Sequence, residues 1–159
     1  MMNVRIAGLQ DIEPCVRLLG ILFSQEQEFV PDSTLQKKGL DLIIGNPETG
    51  AVFVCEEEGE IAGMISVLAT VSTALGARVA LLEDMIVAPG HRGKGVGTML
   101  IQHAFRYAES RGYGRITLLT DHDNVQAQRF YQQKGFSRSD MIVLRKLLPS
   151  SSSPPSRAE

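Results

Sequence analysis

Between Leu82 and Leu100 the sequence reads LEDMIVAPGHRGKGVGTML. An apolar run of strand-like character breaks at Pro89-Gly90, passes through Arg92-Gly93-Lys94-Gly95-Val96-Gly97 and enters a pattern of helical period. The rest of the chain has to be arranged around this strand–turn–helix unit. Such a turn makes an anion site, because the first N–H groups of a helix lack intrahelical acceptors and the macrodipole places about half a positive charge there. Glycines let the backbone close on the anion, and Arg92 and Lys94 add charge. The alternative is a surface turn with glycines for geometry and cations for solubility. Two acids, Glu83 and Asp84, stand in the strand that feeds the turn.

Spacing removes two phosphate motifs. A nucleoside-triphosphate loop needs Gly, four residues, then Gly-Lys-Ser/Thr, whereas Gly93-Lys94 is followed by Gly95 and Ala88 stands at the first glycine position. A dinucleotide fingerprint needs G-x-G-x-x-G, and its two registers reach Thr98 or Leu100 instead of glycine. What remains is Arg92-x-x-Gly95-x-Gly97 opening a helix.

The flanking sequence supplies the other elements. Asn3 to Ala7 reads as extended, and Asp11 is placed to cap a helix that carries Ile12, Cys15, Val16, Leu19, Leu22 and Phe23 on one face. Asp32 caps a second helix with Leu35, Leu42 and Ile43 inward, closed by Gly45 and Pro47. Two strands, Ala51–Glu56 and Ile61–Val71, flank a turn at Glu57-Glu58-Gly59-Glu60, and ARVALLEDMIV is a third. A helix from about Lys94 to Ser110, a strand GRITLLT, a helix Val125–Lys134 and one or two closing strands over Phe136–Leu147 complete the pattern. The reading is a mixed α/β chain: a mixed, mostly antiparallel sheet, order β-α-α-β-β-β-α-β-α-β(-β), with helices on both faces.

At 159 residues this is expected to be one domain over 1–148, with a disordered Ser/Pro-rich tail at 149–159. A net charge of -2 gives no reason to expect nucleic-acid binding, and no apolar run spans a membrane. Cys15 and Cys55 read as small buried hydrophobes, and the N-terminus lacks a signal-peptide layout, so the expected address is cytoplasmic. His91 and His103 lack ligand spacing, so no metal is expected.

A second motif follows the first, Asn124-x-x-Ala127-x-x-Phe130-Tyr131-x-x-x-Gly135-Phe136. Together with Arg92–Gly97 behind EDMIVAP it resembles the GCN5-related N-acetyltransferase (GNAT) family, in the same order and over about Val4 to Leu147. The resemblance implies acetyl-CoA as cosubstrate. Met85, Ile86 and Val87 would offer backbone hydrogen bonds to its pantetheine arm. The amides of Arg92, Gly93, Lys94, Gly95, Val96, Gly97 and Thr98 would hold its pyrophosphate. Asn124 and Ala127 would lie on the helix beside it, and Asn124 also suits a helix cap.

Residue roles follow with their alternatives. Tyr131 reads on spacing as a core aromatic, while the resemblance implies a general acid for the departing thiolate. Glu83 is the first candidate for the base that takes the ammonium proton, with Asp84 in reserve. The pair would otherwise be structural, matched to Arg78 or Arg115. A strand alternates its faces, so the two acids point opposite ways unless a bulge intervenes. His122 in the loop after Leu118-Leu119-Thr120 is a further candidate base.

The expected acceptor is a small cationic amine drawn to an acidic mouth formed by Glu26, Glu28 and Asp140 with the strand acids. A non-catalytic acetyl-CoA-binding module and an unrelated phosphate-binding α/β protein are the rival readings. Members of this fold often dimerise, and a homodimer stays open.

Overall fold

A computed structural model describes residues 1–26 and 28–149. The tail expected over 149–159 lies, from Ser150 onward, outside the described residues. The elements are β1 (Met2–Ile6), α1 (Ile12–Gln25), α2 (Ser33–Ile44), β2 (Gly50–Glu57), β3 (Glu60–Ser72), β4 (Ala77–Val87), α3 (Val96–Ser110), β5 (Ile116–Leu118) and α4 (Val125–Gln133). Short 3-10 turns precede α1 and follow β4.

The five strands lie side by side in chain order. Pairings β1–β2, β2–β3 and β3–β4 are antiparallel, and β4–β5 is parallel across α3. A two-residue turn, Glu58-Gly59, joins β2 to β3 with both φ angles positive (53° and 83°), matching the right-handed twist of the strands.

Alternation along the strands builds two cores. Val52 and Val54 of β2 face α1 and α2, whereas Phe53 and Cys55 face α3. Cys15 belongs to the first core and Cys55 to the second, so the sheet itself separates them and both remain free thiols. Burial pushes the Cys15 thiol up to about 12, which keeps it protonated and unreactive. Gly63 of β3 sets the α3 spacing: a Cβ there would stand 3.0 Å from Val96 Cγ1 and 3.1 Å from Leu100 Cδ1.

Four sequence expectations change. Asp11 does not cap α1 with its side chain. It accepts the Gly8 N–H (2.8 Å) and pairs with Arg5 at 2.7 and 2.9 Å, because β1 brings a guanidinium within reach. On α2 the inward residues are Gln36 and Leu40, while Leu35 and Leu42 are each 65% exposed. A periodicity count skips glutamine, but Gln36 buries its amide by donating to the Val16 carbonyl at 2.9 Å.

The third helix begins at Val96 rather than Lys94, since left-handed Gly95 stands at its N-cap. Finally, among the described residues no strand follows α4. The three-residue β5 offers a short edge, and Met141, Ile142, Leu144 and Leu147 are all more than 80% exposed. Asp32 does cap α2, accepting the Leu35 N–H at 3.0 Å.

Candidate active site

Strand β4 carries the decisive irregularity. Met64 pairs with Ile86 and Ser66 with Glu83, so Asp84 and Met85 together oppose Ile65 alone. Asp84 takes the left-handed conformation at φ 52°, which is rare for a residue with a side chain and strains the backbone at this point. The bulge suspends face alternation. Glu83 and Asp84 therefore border the same two cavities, one on each side of the pair.

The first cavity is the cleft between β4 and β5. These strands pair only from Ala80–Leu82 to Ile116–Leu118. Beyond that register they part, and a space of about 150 Å³ opens between Glu83–Met85 on one side and Leu119–Asp121 on the other. Asn124, Ala127 and Tyr131 of α4 close it, with Glu26 at the end of α1. Asn124 caps α4 by accepting the Ala127 N–H at 3.1 Å. Gln128 Nε2 donates to the Asp121 and His122 carbonyls (3.1 and 3.0 Å), which anchors the DHDN loop against α4. His122 itself is exposed.

Tyr131 is packed against other rings and also reaches the cleft. Its ring centroid lies 5.3 and 5.8 Å from those of Phe130 and Phe136. Burial raises the pKa of its hydroxyl, so the group keeps its proton at neutral pH and remains able to donate it.

Charge is concentrated where the cavities meet. Burial, and then the neighbouring Glu83, push the Asp84 carboxyl up to about 6, against a weak opposing contact from the Ser66 hydroxyl at 3.5 Å. Burial also raises Glu26, helped by Asp121, Asp84 and Glu83 and opposed by Arg145. Among the described residues neither strand acid has an ion-pair partner. Arg78 pairs with Glu48 at 3.3 Å instead. Glu28 is engaged by Arg145, whose guanidinium also lies 5.8 Å from the Phe29 ring centroid. The structure thus gathers Glu26 with the strand acids and leaves Glu28 in a surface ion pair; Asp140 is exposed.

The glycine-rich turn divides its labour. Gly93 and Gly95 have φ of 76° and 84°, so they are needed for the path of the chain. Gly97 is helical, and a Cβ on it would meet Met85 Cε at 3.0 Å and Phe130 Cζ at 3.4 Å; its small size serves packing against β4 and α4. The helical ladder of α3 begins with the Met99 N–H to the Gly95 carbonyl (3.0 Å), which puts residues 96–98 in the first, anion-favouring turn. The Arg92 N–H instead turns back to Pro89 O at 3.4 Å, and its Nε donates to the Val87 carbonyl at 3.2 Å. His91 Nδ1 lies 2.8 Å from Glu57 Oε2, tying the turn to the end of β2.

Sequence reasoning missed Asp121 as a wall of the cleft and Ser66 as the partner of Asp84. The first sits in a loop whose position depends on Gln128. The second is a buried serine with no motif around it.

A parallel β4–α3–β5 unit, a splayed pair of strands and a glycine turn at a helix N-terminus are the features that the sequence resemblance implied for an acyl-CoA-dependent acetyltransferase. The chain belongs to the acetyltransferase (GNAT) family, whose model matches residues 17–136. It is 33% identical over 145 residues to the uncharacterised N-acetyltransferase YhfO of Bacillus subtilis, covering 89% of this chain and 94% of that one. Streptothricin acetyltransferase of Streptomyces lavendulae is 39% identical over 80 residues, which is 50% of this chain and 40% of that protein. In fold it is similar to an aminoglycoside N-acetyltransferase, AAC(6')-Iy, solved in complex with CoA (TM-score 0.78, 19% identity, 92% and 95% of the two chains).

Proposed function

We propose that the chain transfers the acetyl group of acetyl-CoA to a primary amine of a small cationic molecule by direct attack in a ternary complex. The observation that carries this reading is the β4 bulge, which sets Glu83 and Asp84 between the β4–β5 cleft and a second cavity. In the proposal the cleft takes the thioester arm along Met85, Ile86 and Val87, with Asn124 and Ala127 opposite, and the turn at Arg92–Thr98 takes the pyrophosphate. The acceptor enters from the other side.

An amine arrives as an ammonium and must lose a proton before it attacks. Glu83 and Asp84 attract the cation. Burial favours Asp84 for the proton-accepting role that the sequence reading gave first to Glu83, because a base is most effective with a pKa near the working pH. The amine nitrogen then bonds to the thioester carbonyl carbon and the C–S bond breaks. The Tyr131 hydroxyl gives its proton to the leaving thiolate, and the second proton that the nitrogen sheds as the amide forms restores the Tyr131 hydroxyl through solvent. A thiolate is a good leaving group, so Tyr131→Phe is expected to lower kcat by roughly 10-fold while acetyl-CoA affinity stays within about 2-fold. Unchanged turnover would return Tyr131 to a packing role.

The proposal extends to a cytoplasmic address and to a homodimer, which would cover the exposed apolar side chains of Met141, Ile142, Val143, Leu144, Leu147 and Leu148. The test of the reaction is acetyl-CoA-dependent release of free thiol across an amine library, with thermal shift by acetyl-CoA against ATP and NAD as the binding control. A stabilising response to ATP or NAD and none to acetyl-CoA would sink the cofactor assignment.

A further inference from the structure

The second cavity, between α1, α2 and β4, has a volume of about 370 Å³. That falls in the range of roughly 300–1,000 Å³ typical of small-molecule sites. Its walls are Leu19 and Phe23 of α1, Phe29 of the connecting segment, and Leu35, Leu40 and Ile43 of α2. Asp32 and Gln36 also reach it, but both are spent within the fold. Asp32 caps α2 at the Leu35 N–H (3.0 Å), while Gln36 accepts the Asp32 N–H and donates to the Val16 carbonyl, each at 2.9 Å. Among the described residues lining the cavity, the polar side chains left to meet a guest are Glu83 and Asp84, at the end shared with the reaction centre.

A cavity with one anionic end and an apolar body sorts amines by what lies behind the nitrogen. We propose that the acceptor is an aralkylamine, a single primary ammonium joined by a short linker to an aromatic ring. Its nitrogen lies at Glu83 and Asp84, and its ring lies between α1 and α2. This rests on the acetyl-transfer reading above and narrows its acceptor class. Phe23 and Phe29 stand 5.5 Å apart between centroids and tilted by 46°, offering ring surfaces at angles that suit edge or offset contact with a third ring. A polyamine or amino sugar would carry further ammonium or hydroxyl groups against these walls, where the described side chains are apolar or already hydrogen-bonded.

Gly39 of α2 supplies the probe of this cavity. It lines the space, and a Cβ there would meet no atom within 4 Å. Leucine at this helical position favours the fold over glycine while filling the room meant for the ring.

The full chain is assayed for acetyl-CoA-dependent thiol release with 2-phenylethylamine, methylamine, spermidine and kanamycin, and calorimetry measures 2-phenylethylamine binding with CoA present. Burying a phenyl ring leads to a kcat/KM for 2-phenylethylamine on the order of 100-fold above that for spermidine. In Gly39→Leu the preference for 2-phenylethylamine over methylamine falls about 10-fold or more, mainly through KM, and Gly39→Ala gives a smaller fall in the same direction. Thiol release that favours spermidine or kanamycin overturns the acceptor class and leaves acetyl transfer standing. Binding of 2-phenylethylamine without thiol release from any amine overturns the transfer reading but not the cavity's ligand. Absence of both binding and turnover overturns both, and an unchanged preference in both Gly39 variants removes the ring from this cavity.

Discussion

Asp84→Asn is expected to lower kcat/KM for acetyl transfer by about 100-fold or more, the scale of a lost general base, and at the same time to stabilise the fold at neutral pH. Both effects come from one cause. The Asp84 carboxyl is buried beside Glu83, so its pKa rises from 3.8 to about 6. Between those values the native state holds a proton that the unfolded chain has released, so stability falls as pH rises through the window. Above about pH 6 the penalty is complete, on the order of 3 kcal/mol for a rise of about two pKa units. Asparagine carries no charge and tolerates the left-handed backbone, so the variant escapes the penalty.

Urea unfolding should therefore show Asp84→Asn more stable at pH 7 and level with the parent near pH 4. In activity, the parent should lose kcat/KM below about pH 6 as Asp84 takes a proton, and the variant should lack that limb. Glu83→Gln separates the two acids: with its charge gone, the Asp84 pKa drops and the limb moves to lower pH while turnover persists. If Glu83→Gln abolishes activity and Asp84→Asn leaves it intact, the base is Glu83.

The second large effect is structural. Asp11→Ala is expected to destabilise the native state by about 3 kcal/mol, because it removes a nearly buried carboxylate from a guanidinium that β1 holds in place. Asp11 is only 3% exposed, binds Arg5 through both oxygens and accepts the Gly8 N–H. Arg5 keeps Glu56 at 2.7 Å, which limits the loss. The guanidinium holds the Asp11 carboxyl below its ordinary value, so its contribution is complete above about pH 4 and disappears as pH falls through the lowered pKa. Variant and parent should converge under acid. An equal difference at pH 7 and in strong acid would assign the effect to packing instead.

Local patterns carried most of the fold because they report backbone preference and one-sided burial. Asp32 as a cap, the turn near Gly59 and the helix behind Gly95 are each settled within a few residues. Asp11 was misread and Gln36 passed over for a shared reason: their partners, Arg5 on β1 and Val16 on α1, come from other elements. The expected closing strand failed similarly, since a strand exists only if an edge receives it, and no spacing in residues 136–147 reports the length of β5.

At the site, the sequence alone determined which residues are present and in what order. It gave a strand with two acids, a turn whose glycines exclude the triphosphate and dinucleotide motifs, and a helix carrying Asn124 and Tyr131. Only the tertiary structure decided that Glu83 and Asp84 border the same two cavities. A regular strand would have sent them to opposite faces. The extra residue in β4 turns Asp84 left-handed, strips it of water and raises its pKa, and the parting of β5 opens the cleft beside it. Register and solvation are properties of how strands meet, so no single strand's sequence contains them.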